Sequence, residues 1–239
     1  RSTLFPYTTL FRSPYSAGLL ADPNGAAAQS RQACTGRGRG LVMDTLTHRQ
    51  SCVYLTFDDG PDPQWTPRIL DALSVAGVRA TFFVIGRQAW RHPELIRRAT
   101  AAGHEIANHT FDHRHPWTMS ATAARQQVRD CATTLGDILG YLPRFYRPPH
   151  GRNRPCMSDE AHLCGATAVA WDLSAIDWGP LGTAQRIAAR LQRLISGDIV
   201  LMHDGRNRYN RPDELLRVLP GFLDELQRRQ IRPVLLGEG

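Results

Sequence analysis

Two adjacent carboxylates, Asp58 and Asp59, stand where the first apolar segment of the chain ends. Residues 52–55 precede them and predict a buried strand, and the Gly-Pro pair that follows predicts a turn. Like charges this close are costly unless a positive group neutralises them. The pair therefore predicts either a solvated Asp-Gly turn or a site for a metal ion or for acid–base chemistry.

A histidine pair, His109 and His113, is the second candidate. Their spacing would place both imidazoles on one side of a helical turn, although two surface histidines with this spacing are also common. Two histidines and one carboxylate form a set that binds catalytic Zn²⁺ and leaves a position open, and the set also suits Fe²⁺ and other transition ions. In such a site one Asp ligates the ion and its neighbour is free to act as a general base.

Hydrolysis also needs an acid that protonates the leaving group, and His203 is the candidate. It follows residues 198–202, which are apolar after Asp198 and predict another strand. A carboxylate should orient this histidine and raise its pKa. Asp177 is the first candidate for that carboxylate and Asp204 is the second.

The elements that must position these residues alternate between strands and helices from residue 50 onward. The predicted strands are 53–57, 80–85, 105–108, 144–147, 166–171, 198–202 and 232–236, and the predicted helices are 66–77, 93–103, 120–140, 158–164, 183–195 and 212–230, the last restarting at Pro220. This alternation predicts a single α/β domain with parallel strands, a distorted (β/α)7-8 barrel, with a doubly wound open sheet as the alternative. No glycine-rich phosphate loop follows the first strand, which disfavours nucleotide binding.

The candidate residues all follow predicted strands, where functional groups gather in a parallel barrel. The polar positions after successive strands are 58–59, 108–113, 147–151, 172 and 177, and 203–204. We therefore expect one site at the C-terminal ends of the strands.

Composition narrows the function classes. The chain has 239 residues and a formal charge of +7, and its 29 cationic side chains are all Arg, scattered among Asp and Glu. No basic stripe with aromatics is present, which disfavours nucleic-acid binding, and no apolar run is long enough for a transmembrane helix. The five cysteines do not define a disulfide framework, and Cys156 and Cys164 could pair or be free.

Residues 1–47 differ from the rest and are predicted to lie outside the folded domain, which we place at 48–239. Residues 1–13 resemble the translation of a sequencing-library adapter, and the remainder is typical of a linker or tail. We therefore expect that the native N-terminus, with any signal peptide, is missing. The compartment stays open between the secreted or cell-envelope and the cytoplasmic alternatives.

Five short motifs occur in order along the chain: TFDDGP at 56–61, HTFDH at 109–113, RPPHG at 147–151, Asp177-Trp178 and LMH at 201–203. Together they resemble the motifs of the polysaccharide deacetylases, carbohydrate esterase family 4 with its NodB homology domain. The resemblance covers about residues 50–237. It implies a distorted (β/α) barrel and the metal-dependent removal of acetyl groups from polymeric sugars.

The resemblance also implies a role for each matching residue. Asp58 would be the general base held by Arg147, Asp59, His109 and His113 the metal ligands, His203 the acid tuned by Asp177, and His150, Pro149, Trp178 and Leu201 the oxyanion and substrate contacts. Two positions depart from the family pattern, because His150 replaces the usual Tyr and Ser174 the usual Asp.

The expected activity is N-deacetylation of N-acetylglucosamine-containing glycans, chitooligosaccharides or peptidoglycan. The expected cofactor is one divalent ion, Zn²⁺ first, with Co²⁺, Ni²⁺ or Fe²⁺ as alternatives. The expected partner is an acetylated glycan and not a nucleic acid, and the oligomeric state stays open. An O-acetyl xylan esterase is the second candidate, and an inactive carbohydrate-binding member of the fold is the third.

Overall fold

The computed structural model describes residues 51–238. The strands are β1 (Cys52–Asp58), β2 (Thr81–Val84), β3 (Glu105–Asn108), β4 (Phe145–Tyr146), β5 (Thr167–Ala168), β6 (Leu173–Ser174), β7 (Ile199–His203) and β8 (Arg232–Pro233). The helices are α1 (Thr66–Val75), α2 (Gly86–Arg91), α3 (Pro93–Ala101), α4 (Ala121–Leu139), α5 (Pro155–Leu163), α6 (Ala184–Leu191) and α7 (Pro212–Arg228). The predicted N-terminal segment 1–47 lies outside the described residues, as do residues 48–50 and 239 of the predicted domain.

The strands form one parallel sheet in the order β5-β4-β3-β2-β1-β7-β6, with β8 added beside β1. The sheet curls into a half-barrel with helices packed on it, so the predicted α/β fold with parallel strands is confirmed. Parallel strands direct their carboxyl ends to the same edge, and the polar residues predicted from the sequence lie there.

Strand β1 is the centre of the sheet, and all of its residues are buried. Residues 54–58 pair with β7, and residues 56–58 also pair with β2. Cys52 and Val53, at the start of the strand, pair with β8. Burial on both faces explains why this strand is almost continuously apolar until its last residue. The register places Asp58 beside Phe83 of β2 and beside His203 of β7, which brings two candidate residues to one edge.

Several predicted elements are shorter in the structure. Of the predicted strand 166–171, only the two residues of β5 form a strand, and the short strand β6 follows it. Both residues of β5 are exposed, because β5 is an edge strand of the sheet. Helix α6 ends at Leu191 instead of 195, and residues 192–198 form a turn in which the Asp198 carboxylate accepts the Ile195 N–H at 2.9 Å.

Two helices differ from the prediction in other ways. Helix α2 was not predicted, and α7 continues through Pro220 without restarting there. Pro220 lies on the exposed side of α7, where water can satisfy the carbonyl that loses its intrahelical donor. Within residues 51–238, none of the helices combines the length and apolarity that crossing a membrane requires.

The thiols of Cys156 and Cys164 are free, so the pair considered from the sequence is not formed. Cys131 is also free and buried in α4. Burial raises the pKa of the Cys131 thiol to about 12, which makes it a core residue and not a nucleophile.

Candidate active site and metal centre

A cavity of about 490 Å³ opens at the carboxyl edge of the sheet. Its walls are formed by the ends of strands and the segments that follow β1, β3, β4, β5, β6 and β7. The lining residues are Asp58, Asp59, His109, His113, Pro148, His150, Gly151, Trp171, Trp178, Leu201, His203, Asn207, Arg208, Tyr209 and Asn210. The predicted positions Arg147, Asp177 and Pro149 lie outside this lining, and the first two stand directly behind it.

Asp59, His109 and His113 come together as a three-residue group that can hold a metal ion. The Asp59 Oδ1 atom lies 3.4 Å from His109 Nε2 and 3.1 Å from His113 Nε2. This oxygen is buried and has no hydrogen-bond partner. Two imidazole nitrogens beside an unpartnered carboxylate oxygen fit a divalent transition ion, so the residues present match the expected site.

The two histidines differ in how their surroundings shift their pKa values. The His109 Nδ1–H donates to the Arg147 carbonyl at 2.8 Å, which leaves Nε2 to face Asp59. Burial lowers the pKa of His113 to about 3, so that imidazole is neutral. Burial would likewise lower the pKa of His109, but the Asp58 and Asp59 carboxylates outweigh it and raise that pKa, so a proton and a metal ion compete for this nitrogen.

The local backbone that orients these candidate ligands is not the helical turn that the histidine spacing suggested. Residues 109–113 form a loop in which Thr110 and His113 have φ of +68° and +55°. The Thr110 N–H donates to Asn108 Oδ1 at 2.8 Å, which tightens the turn. Asp59 also has a positive φ, +74°, which turns its side chain out of the strand. The convergence of the ligands therefore depends on left-handed residues at two strand ends.

Asp58 is held by a buried arginine. The Arg147 Nη1 atom lies 2.7 Å from Asp58 Oδ1 and 2.8 Å from the Thr56 hydroxyl. The Arg147 side chain is fully buried, and its guanidinium lies 4.0 Å from the centre of the Phe83 ring. Asp58 Oδ1 is thus occupied, while Oδ2 faces His109 Nε2 at 3.6 Å on the cavity side.

His203 is held by Asp177 and not by its neighbour Asp204. Asp177 Oδ1 lies 2.8 Å from His203 Nδ1, and its Oδ2 accepts the His203 backbone N–H at 2.7 Å. Burial alone would lower the pKa of His203, but the Asp177 carboxylate outweighs it and raises the pKa to about 9. This arrangement makes His203 a protonated acid at neutral pH.

Asp204, the second candidate for that carboxylate, contacts the first residue of α1 and not His203. Its Oδ2 accepts the Thr66 hydroxyl at 2.5 Å, and its carboxyl lies against the Gly60 Cα. A Cβ at Gly60 would stand 2.1 Å from Asp204 Oδ2, so only glycine fits there. Burial raises the pKa of Asp204 to about 7.

The remaining predicted residues lie beside the candidate ligand His113 and beside His203. The His150 ring centre lies 4.5 Å from that of His113 and 5.4 Å from that of His115. The Trp178 ring lies 5.4 Å from the His203 ring, and Leu201 lines the cavity. His150 has a φ of +58°, which presents this part of the RPPHG loop to the cavity.

Sequence reasoning missed one wall of the cavity, at residues 207–210. The missed residues are Asn207, Arg208, Tyr209 and Asn210. Their position just after β7 was a usable signal, since every other wall also follows a strand. Their residue types gave none, because Asn and Arg are ordinary loop residues.

Comparison with known proteins identifies the family. Residues 45–169, more than half of the chain, match the family model described as "Polysaccharide deacetylase". The chain belongs to the polysaccharide deacetylase family. The resemblance given by the five motifs is therefore confirmed.

Relatives of this polysaccharide deacetylase have named activities. A chitooligosaccharide deacetylase of Bradyrhizobium sp. (strain ANU 289) is 36% identical over 193 residues, which span 76% of this chain and 88% of the relative. A peptidoglycan-N-acetylglucosamine deacetylase of Bacillus cereus is 32% identical over 202 residues, 83% of this chain and 92% of the relative.

Solved structures agree with the fold. A family 4 carbohydrate esterase from Streptomyces lividans, in complex with acetate, superposes with a TM-score of 0.71 at 29% identity. The superposition covers 78% of this chain and 93% of that esterase.

Proposed function

We propose that this polysaccharide deacetylase removes acetyl groups from N-acetylglucosamine-containing glycans, with chitooligosaccharides or peptidoglycan as substrates. The observation that carries the proposal is one cavity with a complete hydrolytic set. It brings together the three-residue group of Asp59, His109 and His113, the Asp58–Arg147 pair and the His203–Asp177 pair. The names of the two relatives support the substrate class. We further propose that residues 48–239 are the catalytic domain.

We propose Zn²⁺ as the ion held by Asp59, His109 and His113, because two imidazoles and one carboxylate are a common catalytic zinc set. Co²⁺, Ni²⁺ and Fe²⁺ share enough of this ligand preference to be alternatives. When bound, such an ion supplies a Lewis acid that polarises a carbonyl group and makes water more acidic.

Asp58 is the general base in this proposal. Arg147 holds Oδ1, so Oδ2 is the oxygen that takes a proton from the attacking water. The water oxygen then bonds to the acetamide carbon, and the buried Arg147 charge stabilises Asp58 until the proton arrives. The backbone N–H of His150 is proposed to donate to the developing oxyanion, and Trp178 and Leu201 shape the pocket for the acetyl methyl group.

His203 completes the reaction by delivering its proton to the departing nitrogen. The carbon–nitrogen bond breaks, and acetate and a free sugar amine are released. The paired contacts from Asp177 keep the proton-bearing imidazole in place and in its charged form.

The proposal is tested by acetate release from chitooligosaccharides, peptidoglycan and acetylxylan in parallel, with added Zn²⁺ or Co²⁺. We expect release from one or both of the N-acetylated glycans. Release from acetylxylan alone would favour an O-acetyl esterase, and release from none by the folded, metal-loaded protein would overturn the proposal.

Replacing His113 with Ala is expected to abolish metal binding and acetate release together. The variant loses one of the two imidazole ligands, and a site with two remaining ligands no longer holds a catalytic ion tightly. Co²⁺ titration followed by visible absorption measures the loss. The exposed His162 in α5 offers a matched control, and His162→Ala should bind Co²⁺ as the wild type does. Unchanged Co²⁺ binding by His113→Ala would remove His113 from the ligand set.

Replacing Asp177 with Asn is expected to move the alkaline limb of the kcat/KM profile to lower pH by about one unit or more. His203 acts as an acid only when protonated, so activity falls as the pH rises through its pKa of about 9. Asn removes the charge that raises this pKa, and burial then lowers it. Both enzymes are compared with the same metal ion, so its charge affects both profiles alike. An alkaline limb at the wild-type position would mean that Asp177 does not tune His203.

A further inference from the structure

The two oxygens of the Asp59 carboxylate have different surroundings. Oδ1 has no hydrogen-bond partner and faces the two histidines. Oδ2 accepts two side-chain amides, from Asn210 Nδ2 at 2.7 Å and from Asn207 Nδ2 at 3.1 Å. The reaction described above uses neither asparagine.

Both amides have their orientation set by other contacts. The Asn207 Oδ1 atom accepts the backbone N–H groups of Tyr209 at 2.7 Å and of Asn210 at 2.9 Å, so its Nδ2 must be the atom that faces Asp59. Asn210 Nδ2 also donates to the Gly205 carbonyl at 3.0 Å, which only an N–H can do. Asn210 itself is buried, at 5% exposure. The two donors are therefore held in place by the loop 205–210.

The loop is also seated on the backbone of the two aspartates. The N–H groups of Asp204 and Gly205 approach the Asp58 carbonyl at 3.2 and 3.4 Å. A Cβ at Gly205 would lie 2.1 Å from the Asp59 carbonyl oxygen, so glycine is required for this approach. Consequently the amides and the carboxylate they hold cannot move independently.

We propose that Asn207 and Asn210 are positioning residues that present Asp59 to the metal ion through Oδ1 alone. With two donors on Oδ2, the carboxylate cannot turn so that both oxygens approach the ion. A carboxylate that offered one oxygen would leave a position on the ion open, as a catalytic site requires. This inference rests on the proposed function, because it takes Asp59 as a metal ligand.

The test compares Asn207→Ser and Asn210→Ser with the wild type by Co²⁺ titration of the metal-free proteins. Ser at 207 keeps an acceptor for the loop N–H groups but is too short to reach Asp59 Oδ2. We expect each variant to bind Co²⁺ about tenfold more weakly, as is typical when a partner of a metal ligand is lost. We also expect a changed visible spectrum of bound Co²⁺, since the freed oxygen can join the coordination shell.

Arg206→Gln is the matched control in the same loop. The Arg206 side chain pairs with Asp213 at 3.0 Å and not with Asp59. The Co²⁺ affinity and the visible spectrum of the Arg206→Gln variant should therefore equal those of the wild type. The melting temperatures of the metal-free proteins show whether a variant disturbs the fold. If Asn210→Ser melts early, Asn207→Ser decides the question.

Wild-type affinity and an unchanged spectrum in a folded Asn207→Ser would overturn the inference. Weaker binding with an unchanged spectrum would also overturn it, because single-oxygen presentation would then not depend on the amides. If the wild type itself bound no Co²⁺, the metal site of the proposed function would fail instead. The two failures are therefore distinguishable.

Discussion

Replacing Asp58 with Asn is expected to lower kcat for acetate release by about 10³-fold and to leave Co²⁺ binding in place. Asn has nearly the same shape and can still accept the hydrogen bond from Arg147 Nη1, 2.7 Å away in the wild type. It cannot take a proton from water. The proposed ligand atoms of Asp59, His109 and His113 are untouched, so the variant separates the proposed base from the proposed metal site.

The control is Asp71→Asn, which neutralises a carboxylate in an exposed pair with Arg98. That variant should retain wild-type activity. Co²⁺ titration and steady-state acetate release are measured on all three proteins. Near-normal turnover by Asp58→Asn would remove Asp58 from the role of general base, and loss of Co²⁺ binding would mean that the two aspartates do not have separate roles.

Replacing Arg147 with Met is expected to lower the free energy of unfolding of the metal-free protein by about 3–5 kcal/mol, measured by urea denaturation. Arg147 is fully buried and donates to Asp58, to Thr56 and to the backbone carbonyls of Val169 and Ala170. Met fills much of the space but supplies no charge or donor. The Asp58 carboxylate would then be buried without its partner.

A double variant distinguishes the lost charge pair from lost packing. Asp58→Leu combined with Arg147→Met replaces both charges with apolar groups, and it should recover much of the stability while lacking activity. Arg98→Met breaks the exposed pair with Asp71 and should cost about 0–1 kcal/mol. A loss below about 1 kcal/mol for Arg147→Met would contradict the view that this pair is a buried and mutually dependent unit.

Much of the fold and of the site was predictable because the signals are local. Strand β3 runs over the predicted residues, and β1 extends the predicted strand by one residue at each end. Apolar runs predict buried strands, and alternation with helices predicts parallel pairing. Once the strands are parallel, their carboxyl ends share an edge, and residues 58–59, 109–113 and 203 must lie near one another.

Proximity in the sequence does not identify the carboxylate that contacts His203. Asp204 is its neighbour in sequence, but successive side chains at the end of a strand point to opposite sides. Asp204 accordingly turns to Thr66, while Asp177, 26 residues earlier, reaches the imidazole. The histidine pair is similar, because residues 109–113 place two ligands together through positive φ values and not through a helix.

By itself, the sequence determined the fold class, the edge of the sheet that carries the site and the residue types available there. These follow from hydrophobic periodicity and from motifs only a few residues long. The tertiary structure decided that an oxygen of Asp58 contacts Arg147. It also decided that one oxygen of Asp59 faces the histidines while the other accepts hydrogen bonds from Asn207 and Asn210. Such contacts join segments up to about 150 residues apart, and they depend on strand register and on left-handed loop residues that no local pattern specifies.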